Sequence, residues 1–326
     1  MKSITLSQIS DLIAENQSFA LLSHVNPDGD AIGSLIAMGE ILEALGKTVY
    51  YRNQDGVPEA LEFLPHSEKV LSPKAEKQEV DVLVALDCAK EPRLGADALA
   101  EFQPKWMINI DHHKTNTQYG DFYYIDSSTA STTQIIFELA KSAGYEVPAA
   151  ARDSIYVGIS TDTDSFKARA TSAKVHHIAA ELIEMGLDVA KINELTYETT
   201  PFRKVQLLKE YLNTMVLSPC KKIADWHLTA DTKTALGIKP GDNEDMVNYM
   251  TSIDTVLIAC SFEEHSKDNI RISLRSKTSD IDVSAIASEF GGGGHAKAAG
   301  IILENVSISD ARDQVLAAVS KQVAAL

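Results

Sequence analysis

Histidine and aspartate recur in this chain where apolar runs end, a pairing of side chains suited to holding a divalent cation. The first such stretch is Leu21-Leu22-Ser23-His24-Val25-Asn26-Pro27-Asp28-Gly29-Asp30-Ala31-Ile32-Gly33-Ser34. An apolar run from Phe19 to Leu22 predicts a buried strand, Asn26-Pro27 and Gly29 predict a turn, and the residues from Ala31 onward have helical spacing. His24, Asp28 and Asp30 therefore leave the carboxyl end of a strand together, where open α/β sheets place their ligands. Two carboxylates brought that close are costly unless something cationic neutralises them, and the neighbouring imidazole supplies a nitrogen ligand that favours a metal over a lysine. The same residues also suit a turn, with Asp30 capping the helix that follows, so this stretch alone leaves both readings open.

Three later stretches favour the metal. Asp81-Val82-Leu83-Val84-Ala85-Leu86-Asp87-Cys88 is an apolar strand ending in Asp87, and Trp106-Met107-Ile108-Asn109-Ile110-Asp111-His112-His113 is another, ending in Asp111, His112 and His113. A fourth apolar segment, from Tyr156 through Ile159, runs up to Asp162. One fold could gather all four arrivals at one edge of one sheet.

The order His24-x3-Asp28-x-Asp30, Asp87, Asp111-His112-His113 and Asp162 resembles the four motifs of the DHH phosphoesterase superfamily, named after its third motif. The resemblance implies that His24 and Asp28 hold a first ion, that Asp30, His112 and Asp162 hold a second, and that Asp87 bridges them. It leaves His113 to face a substrate phosphate, with Asp111 orienting an imidazole. Two divalent ions about 3.5–4 Å apart can activate a water and stabilise both oxygens of an in-line attack on phosphorus. The mixed His and carboxylate set favours Mn²⁺, with Mg²⁺ or Co²⁺ as alternatives. Asp164 reads as a turn residue and Cys88 as a small buried one, while His66, His227 and His265 have no ligand partner nearby in sequence.

The elements that must position these residues alternate. A chain of 326 residues, 44% of them hydrophobic, can bury a large core and suggests two domains. Met1–Gln17 reads as an amphipathic helix rather than a signal peptide, and no window has the apolar length of a membrane span. Cys88, Cys220 and Cys260 are scattered and form no CxxC, which points to a reduced, cytoplasmic compartment. A net charge of −16 argues against a surface that grips long duplex nucleic acid through many phosphates, though not against a small anionic substrate at a metal-lined pocket. Strands ending at Leu22, Arg52, Asp87 and His113 alternate with helices at 30–45, 92–102, 129–143 and 148–159, the rhythm of a mostly parallel doubly wound sheet. From Ser172 to Leu217 the pattern is helical, interrupted at Pro201; beyond it come strands at 223–229, 255–263 and 269–276, a helix at 283–290 and a final helix at 309–323.

Between those last helices lies Gly291-Gly292-Gly293-Gly294-His295. Four glycines are retained where a positive φ or a close backbone approach is needed, and such a loop could turn several N–H groups on one anion. On the preceding strand Arg271, Ser273 and Arg275 share a face by period two, with Ser276 at its end. Arg-Ser, a helix, then Phe-Gly-Gly-Gly-Gly-His-x3-Ala-Gly resembles the recognition element of the DHH-associated C-terminal domain. The resemblance thus covers nearly the whole chain, and within the superfamily it is nearest the stand-alone oligoribonucleases and 3′-phosphoadenosine 5′-phosphate phosphatases, the nanoRNase, NrnA-like group.

It implies a DHH catalytic domain over 1–190, a helical linker over 191–217 and a smaller α/β substrate-binding domain over 218–326, with the active site in the interdomain cleft. Arg275, Ser276, Gly292, Gly293, Gly294 and His295 would grip the substrate, and Arg203 could add a phosphate contact, although an exposed helix arginine explains it as well. The implied substrates are short single-stranded RNA oligonucleotides and nucleotides; no membrane takes part, and a homodimer through the linker or the first domain is compatible. Cyclic or linear dinucleotide hydrolysis, and a non-catalytic nucleotide-binding module, are the alternatives. Against the last, all six expected ligand positions carry ligand-type residues.

Overall fold

The computed structural model describes residues 1–324 apart from 240, 244, 245, 267 and 279. The chain forms two compact units, Met1–Thr199 and Thr200–Leu326, whose boundary falls within the span expected to connect two domains.

In the first unit, β1 (Lys2–Ser3), β2 (Ser18–Leu22), β3 (Thr48–Arg52), β4 (Gln78–Leu86), β5 (Phe102–Asp111) and β6 (Phe122–Ile125) make one sheet in the order β1-β6-β5-β4-β2-β3, with every pairing parallel. Both faces are buried, which explains the unbroken apolar runs. Phe19 and Leu21 join Val82, Val84, Ile108 and Ile110 on one side, while Ala20 and Leu22 join Leu83, Ala85 and Phe102 on the other. The chain leaves β2 towards one edge through β3, then returns to β4 on the other side of β2 and continues outward through β5 and β6. The carboxyl ends of β2 and β4 therefore flank the point where the winding reverses, the ligand crevice of doubly wound sheets.

The helices of this unit are α1 (Leu6–Glu15), α2 (Gly29–Ala44), α3 (Ala96–Glu101), α4 (Thr132–Ala143), α5 (Ala149–Asp162), α6 (Ala173–Glu184) and α7 (Val189–Asn193). The amphipathic N-terminus is shorter than the 1–17 helix expected, because Lys2 and Ser3 pair with Phe122 and Tyr123 and the helix starts from a capping box between Thr5 and Gln8. Helix α2 is buried continuously from Gly29 to Leu42, with α4 and α5 packed against it. That approach depends on glycine: a Cβ at Gly33 would lie 2.7 Å from the Ser154 carbonyl of α5.

Asp162 is the last residue of α5, which runs three residues past the helix expected over 148–159. Just beyond it Asp164, Ser165 and Phe166 have φ of 49°, 56° and 62°, a left-handed turn without glycine. Hydrogen bonds from Ser165 N to Ser160 O (2.7 Å) and from Lys167 N to Thr163 O (2.8 Å) hold it, with the Phe166 ring stacked on His176 at 5.4 Å. A π-helical turn at Glu194–Glu198 adds Tyr197, whose hydroxyl lies 2.7 Å from Ser160 Oγ.

The second unit runs α8 (Phe202–Thr214), β7 (Val216–Leu217), β8 (Ile223–Leu228), α9 (Ala230–Leu236), α10 (Asn248–Thr251), β9 (Ile258–Ser266), β10 (Asn269–Ser276), α11 (Val283–Glu289), β11 (Gly293–His295), β12 (Ala298–Glu304) and α12 (Ile308–Ala324). Residues 240, 244 and 245 of its expected helical middle lie outside the described residues. Its sheet, β11-β12-β10-β9-β8-β7, is antiparallel except between β8 and β9. Ile258, Cys260, Phe262, Ile272 and Leu274 pack with Val283 and Ile286 of α11 and Val315 and Val319 of α12. On the other face Trp226 stacks on Tyr211 of α8 with ring centres 4.4 Å apart. No helix among the described residues is long and apolar enough to cross a membrane.

Two stability outcomes follow. Gly33→Ala forces α2 and α5 apart and should destabilise the chain by about 1–3 kcal/mol in urea denaturation. Asp164→Gly relieves a left-handed residue whose ion pair with Lys167 is a 3.5 Å contact between exposed groups, and should stabilise by about 0.5–1 kcal/mol in the same assay. A loss of stability at Asp164 would show that its side chain, not the backbone, governs that turn.

Candidate metal centre and phosphate-recognition element

The loop after β2 carries His24, which is buried and whose Nδ1 lies 2.9 Å from the Val25 carbonyl. That contact turns Nε2 towards Asp28 Oδ2 at 3.8 Å and Asp87 Oδ2 at 3.4 Å. Asp28, not Asp30, caps α2: its Oδ1 accepts from the N–H groups of Asp30 (3.1 Å) and Ala31 (3.0 Å). The cap and the ligand readings are thus compatible, because the second oxygen of Asp28 still faces His24.

Asp30 is wholly buried beneath the first turn of α4. Its Oδ2 accepts from Thr132 N at 2.7 Å, and its Oδ1 from Thr133 N at 2.9 Å and Thr133 Oγ1 at 2.7 Å. The helix N-terminus favours the anion, yet burial outweighs it and raises the Asp30 pKa. Gly158 of α5 makes room, since a Cβ there would lie 2.7 Å from Asp30 Oδ1.

Asp87 follows β4 in the left-handed region, with φ 52°, and is 1% exposed. Its Oδ1 lies 3.5 Å from His112 Nε2, so its two oxygens face different histidines. Burial, then the charges of Asp30, Asp28, Asp162 and Asp111, push its pKa well above the carboxylate range. Asp162 Oδ2 lies 3.2 Å from His112 Nε2, and burial and Asp30 lift Asp162 to about 7. Burial would lower His112, but the hydrogen bond to Asp162 and the charges of Asp30, Asp162 and Asp111 raise it to about 9.

These atoms fall into three overlapping sets: His24, Asp28 and Asp87; Asp30, His112 and Asp162; and Asp87, Asp111, His112 and His113. Buried carboxylates that resist ionisation, gathered with the imidazole nitrogens of His24 and His112, form a donor set that fits divalent cations.

Asp111 differs. Its Oδ1 accepts from His112 N and His113 Nδ1, both at 2.8 Å, and its Oδ2 from Asn116 Nδ2 at 2.5 Å. Burial would raise it, but the hydrogen bonds from His113 and Asn116 hold it below the ordinary range. His113 is the more exposed of the two imidazoles, with its side chain 35% exposed. Asn116 also donates to Asn109 Oδ1 at 2.8 Å, and Asn109, Asn116 and Tyr119 converge on the Cys88 carbonyl. The Cys88 thiol itself is buried and its pKa raised by that burial.

The sequence reading missed Asn116, Thr132, Thr133 and Arg93. The run Ser131-Thr132-Thr133 carried a signal, a hydroxyl-rich helix start, but the helix begins at Thr132 with Ser131 as its cap, three residues later than expected. Arg93 binds back to the first loop, with Val25 N donating to Arg93 O at 2.7 Å and Arg93 Nη2 lying 3.3 Å from Val25 O.

In the second unit, β10 has the bounds expected, with Arg271 exposed, Ser273 and Arg275 half-buried, and Ile272 and Leu274 turned into the core. Ser276 is buried, its hydroxyl donating to Thr278 O at 2.7 Å. The glycine run is only partly a loop: Gly293, Gly294 and His295 form the exposed edge strand β11, paired with β12. A Cβ at Gly292 would lie 2.2 Å from the Gly300 carbonyl and one at Gly294 2.4 Å from the Ala298 carbonyl, whereas Gly293 is open. Two glycines thus serve the close approach of β12. Arg203 is engaged by Asp242, Nε to Oδ2 at 2.7 Å and Nη2 to Oδ1 at 3.1 Å.

Known proteins resemble this chain in sequence and fold. Residues 18–159 match the DHH family, N-terminal domain, and residues 230–325 match the DHHA1 domain. A bifunctional oligoribonuclease and PAP phosphatase NrnA of Thermus thermophilus is 31% identical over 93% of this chain and 89% of its own length. The Bacillus subtilis protein of the same name is 29% identical over 90% of this chain and 91% of its own length. Among solved structures, an exopolyphosphatase-related protein from Bacteroides fragilis superposes with a TM-score of 0.84, at 24% identity, over 97% of this chain and 94% of that one, which shows a shared fold. The chain belongs to the DHH family of phosphoesterases, with a DHHA1 domain in its second half.

Proposed function

We propose that this chain is a metal-dependent phosphohydrolase that degrades very short RNA oligonucleotides, of two to five residues, to mononucleotides and converts 3′-phosphoadenosine 5′-phosphate to AMP. The observation that carries the reading is the Asp87 carboxylate, with one oxygen towards His24 and the other towards His112. Similarity to relatives named for these two activities supports the substrate class.

His24 and Asp28 would hold one ion and Asp30, His112 and Asp162 a second, with Asp87 shared; Mn²⁺ suits the mixed nitrogen and oxygen donors. Bound there, two divalent cations would supply Lewis acidity and an acidified water for in-line attack on phosphorus. The chain's own residues do the rest. In both substrates the bond broken joins phosphorus to a ribose 3′ oxygen, so one arrangement serves both. Asp111 holds Nδ1 of His113, and His113 passes a proton through Nε2 to that leaving oxygen. Asn116 keeps Asp111 ionised and oriented. We assign recognition of phosphate and base to Arg275, Ser276, Gly292, Gly293, Gly294 and His295. Arg203 contributes less, because Asp242 already occupies its guanidinium.

Two experiments test this reading. Turnover of phosphoadenosine phosphate, a linear diribonucleotide, a ~24-nucleotide RNA exceeding the site sizes of small binding domains, a cyclic dinucleotide and pyrophosphate should show Mn²⁺-dependent hydrolysis of the first two only. Preference for the cyclic dinucleotide would displace the proposal, and no hydrolysis at all would leave a binding module. The second experiment is Asp87→Asn. It should abolish turnover yet raise the melting temperature of the metal-free protein, because it removes a carboxylate whose buried charge opposes folding. Mn²⁺ should then raise the melting temperature of the unsubstituted chain more than that of the variant.

A further inference from the structure

Among the described residues, Thr132 alone hydrogen-bonds to both Asp30 and Asp87. Its backbone N–H donates to Asp30 Oδ2 at 2.7 Å, and its hydroxyl donates to Asp87 Oδ1 at 3.2 Å. The residue is fully buried and is fixed as the first residue of α4 by the Ser131 cap, whose hydroxyl oxygen accepts from Gln134 N at 3.1 Å.

The side-chain torsion of an aspartate carboxylate is broad and two-fold, so geometry at Asp87 alone does not decide which oxygen faces which histidine. The ring nitrogens around it do not decide it either. His24 Nδ1 is turned to the Val25 carbonyl, which leaves Nε2 as the nitrogen open to an ion. His112 Nε2 stands between Asp87 and Asp162 in the same way. His113 Nδ1 lies 3.5 Å from Asp87 but only 2.8 Å from Asp111, which takes its proton. None of the three rings is placed to donate to Asp87 when they act as ligands or partners in this way. Among the described residues, the Thr132 hydroxyl is the donor that remains, and it marks Oδ1.

We propose that Thr132 is a positioning residue that pins the Asp87 carboxylate, presenting Oδ2 to the His24–Asp28 ion position and Oδ1 to the Asp30–His112–Asp162 position. This rests on the two-ion reading given above. Because the same residue's N–H fixes Asp30, one rigid point at the start of α4 sets the relation between the two ion positions.

The test is calorimetric titration of the metal-free full chain with Mn²⁺, so it does not depend on turnover. The unsubstituted chain should take two ions. Thr132→Val keeps the side-chain shape and removes the hydroxyl; it should weaken the second ion about 10- to 100-fold, as loss of a ligand's hydrogen-bond partner does elsewhere, and leave the first near its original affinity. Thr132→Ser restores the hydroxyl and should return both affinities to within about 3-fold of the original. Thr132→Ala lacks the hydroxyl without the Val side chain and should behave as Thr132→Val does, which guards against a folding defect in the valine variant. Two ions bound unchanged in both hydroxyl-free variants would overturn the pin, as would a serine variant as weak as the valine one. Fewer than two ions in the unsubstituted chain would instead overturn the two-ion reading itself.

Discussion

Negative charge concentrated in a buried volume is the constraint on which the first unit depends. Asp28, Asp30, Asp111 and Asp162 surround Asp87, and burial raises Asp30, Asp87 and Asp162. Such a cluster is tolerable only where donors and cations answer it. The protein supplies donors wherever it can: the N-terminus of α4 for Asp30, Asn116 for Asp111, the Thr132 hydroxyl for Asp87. What those donors leave unneutralised is what His24, His112 and a bound divalent cation would answer.

Holding the cluster requires close packing nearby. Helix α2 is buried through four turns because α4 and α5 lie against it, and small residues at Gly33 and Gly158 let those helices approach. A rigid support of this kind matters because each ligand candidate sits at the end of an element: β2 into α2, β4, β5, and α5. Backbone strain is concentrated in the same places. Asp87 is left-handed, and three left-handed residues follow two positions after Asp162.

The second unit, to which recognition of the substrate is assigned above, offers different chemistry: an arginine-bearing strand, β10, and a glycine-rich edge strand. The glycines let β11 close on β12, since Cβ atoms at Gly292 and Gly294 would strike the backbone of the partner strand. The exposed edge that results carries His295 and the unobstructed Gly293. The Arg203 guanidinium is engaged by Asp242, which leaves it less available for such chemistry.

The sequence determined a good deal by itself. The apolar runs set the order of β2, β3, β4 and β5, Gly46 and Gly144 marked helix ends, and the bounds of β10 were read without error, because period and turn chemistry are local. The recurrence of Asp and His at element ends singled out His24, Asp28, Asp30, Asp87, Asp111, His112, His113 and Asp162, which the fold brings together, while only the resemblance to the DHH motifs divided them into ligands and partners. Three other features were not legible. Strands β1, β6, β11 and β12 are short, half-buried or glycine-rich, and only pairing with a neighbouring strand makes them strands. Which aspartate caps α2 depends on where the chain turns after Pro27, and the answer is Asp28 rather than Asp30. Thr132 and Asn116 carry no pattern of their own, since their roles exist only when α4 and the loop after β5 are folded over Asp87 and Asp111. Residue type and local spacing name the groups that can do chemistry, but hydrogen bonds spanning 45 or 102 positions, such as those of Thr132, belong to the tertiary structure alone.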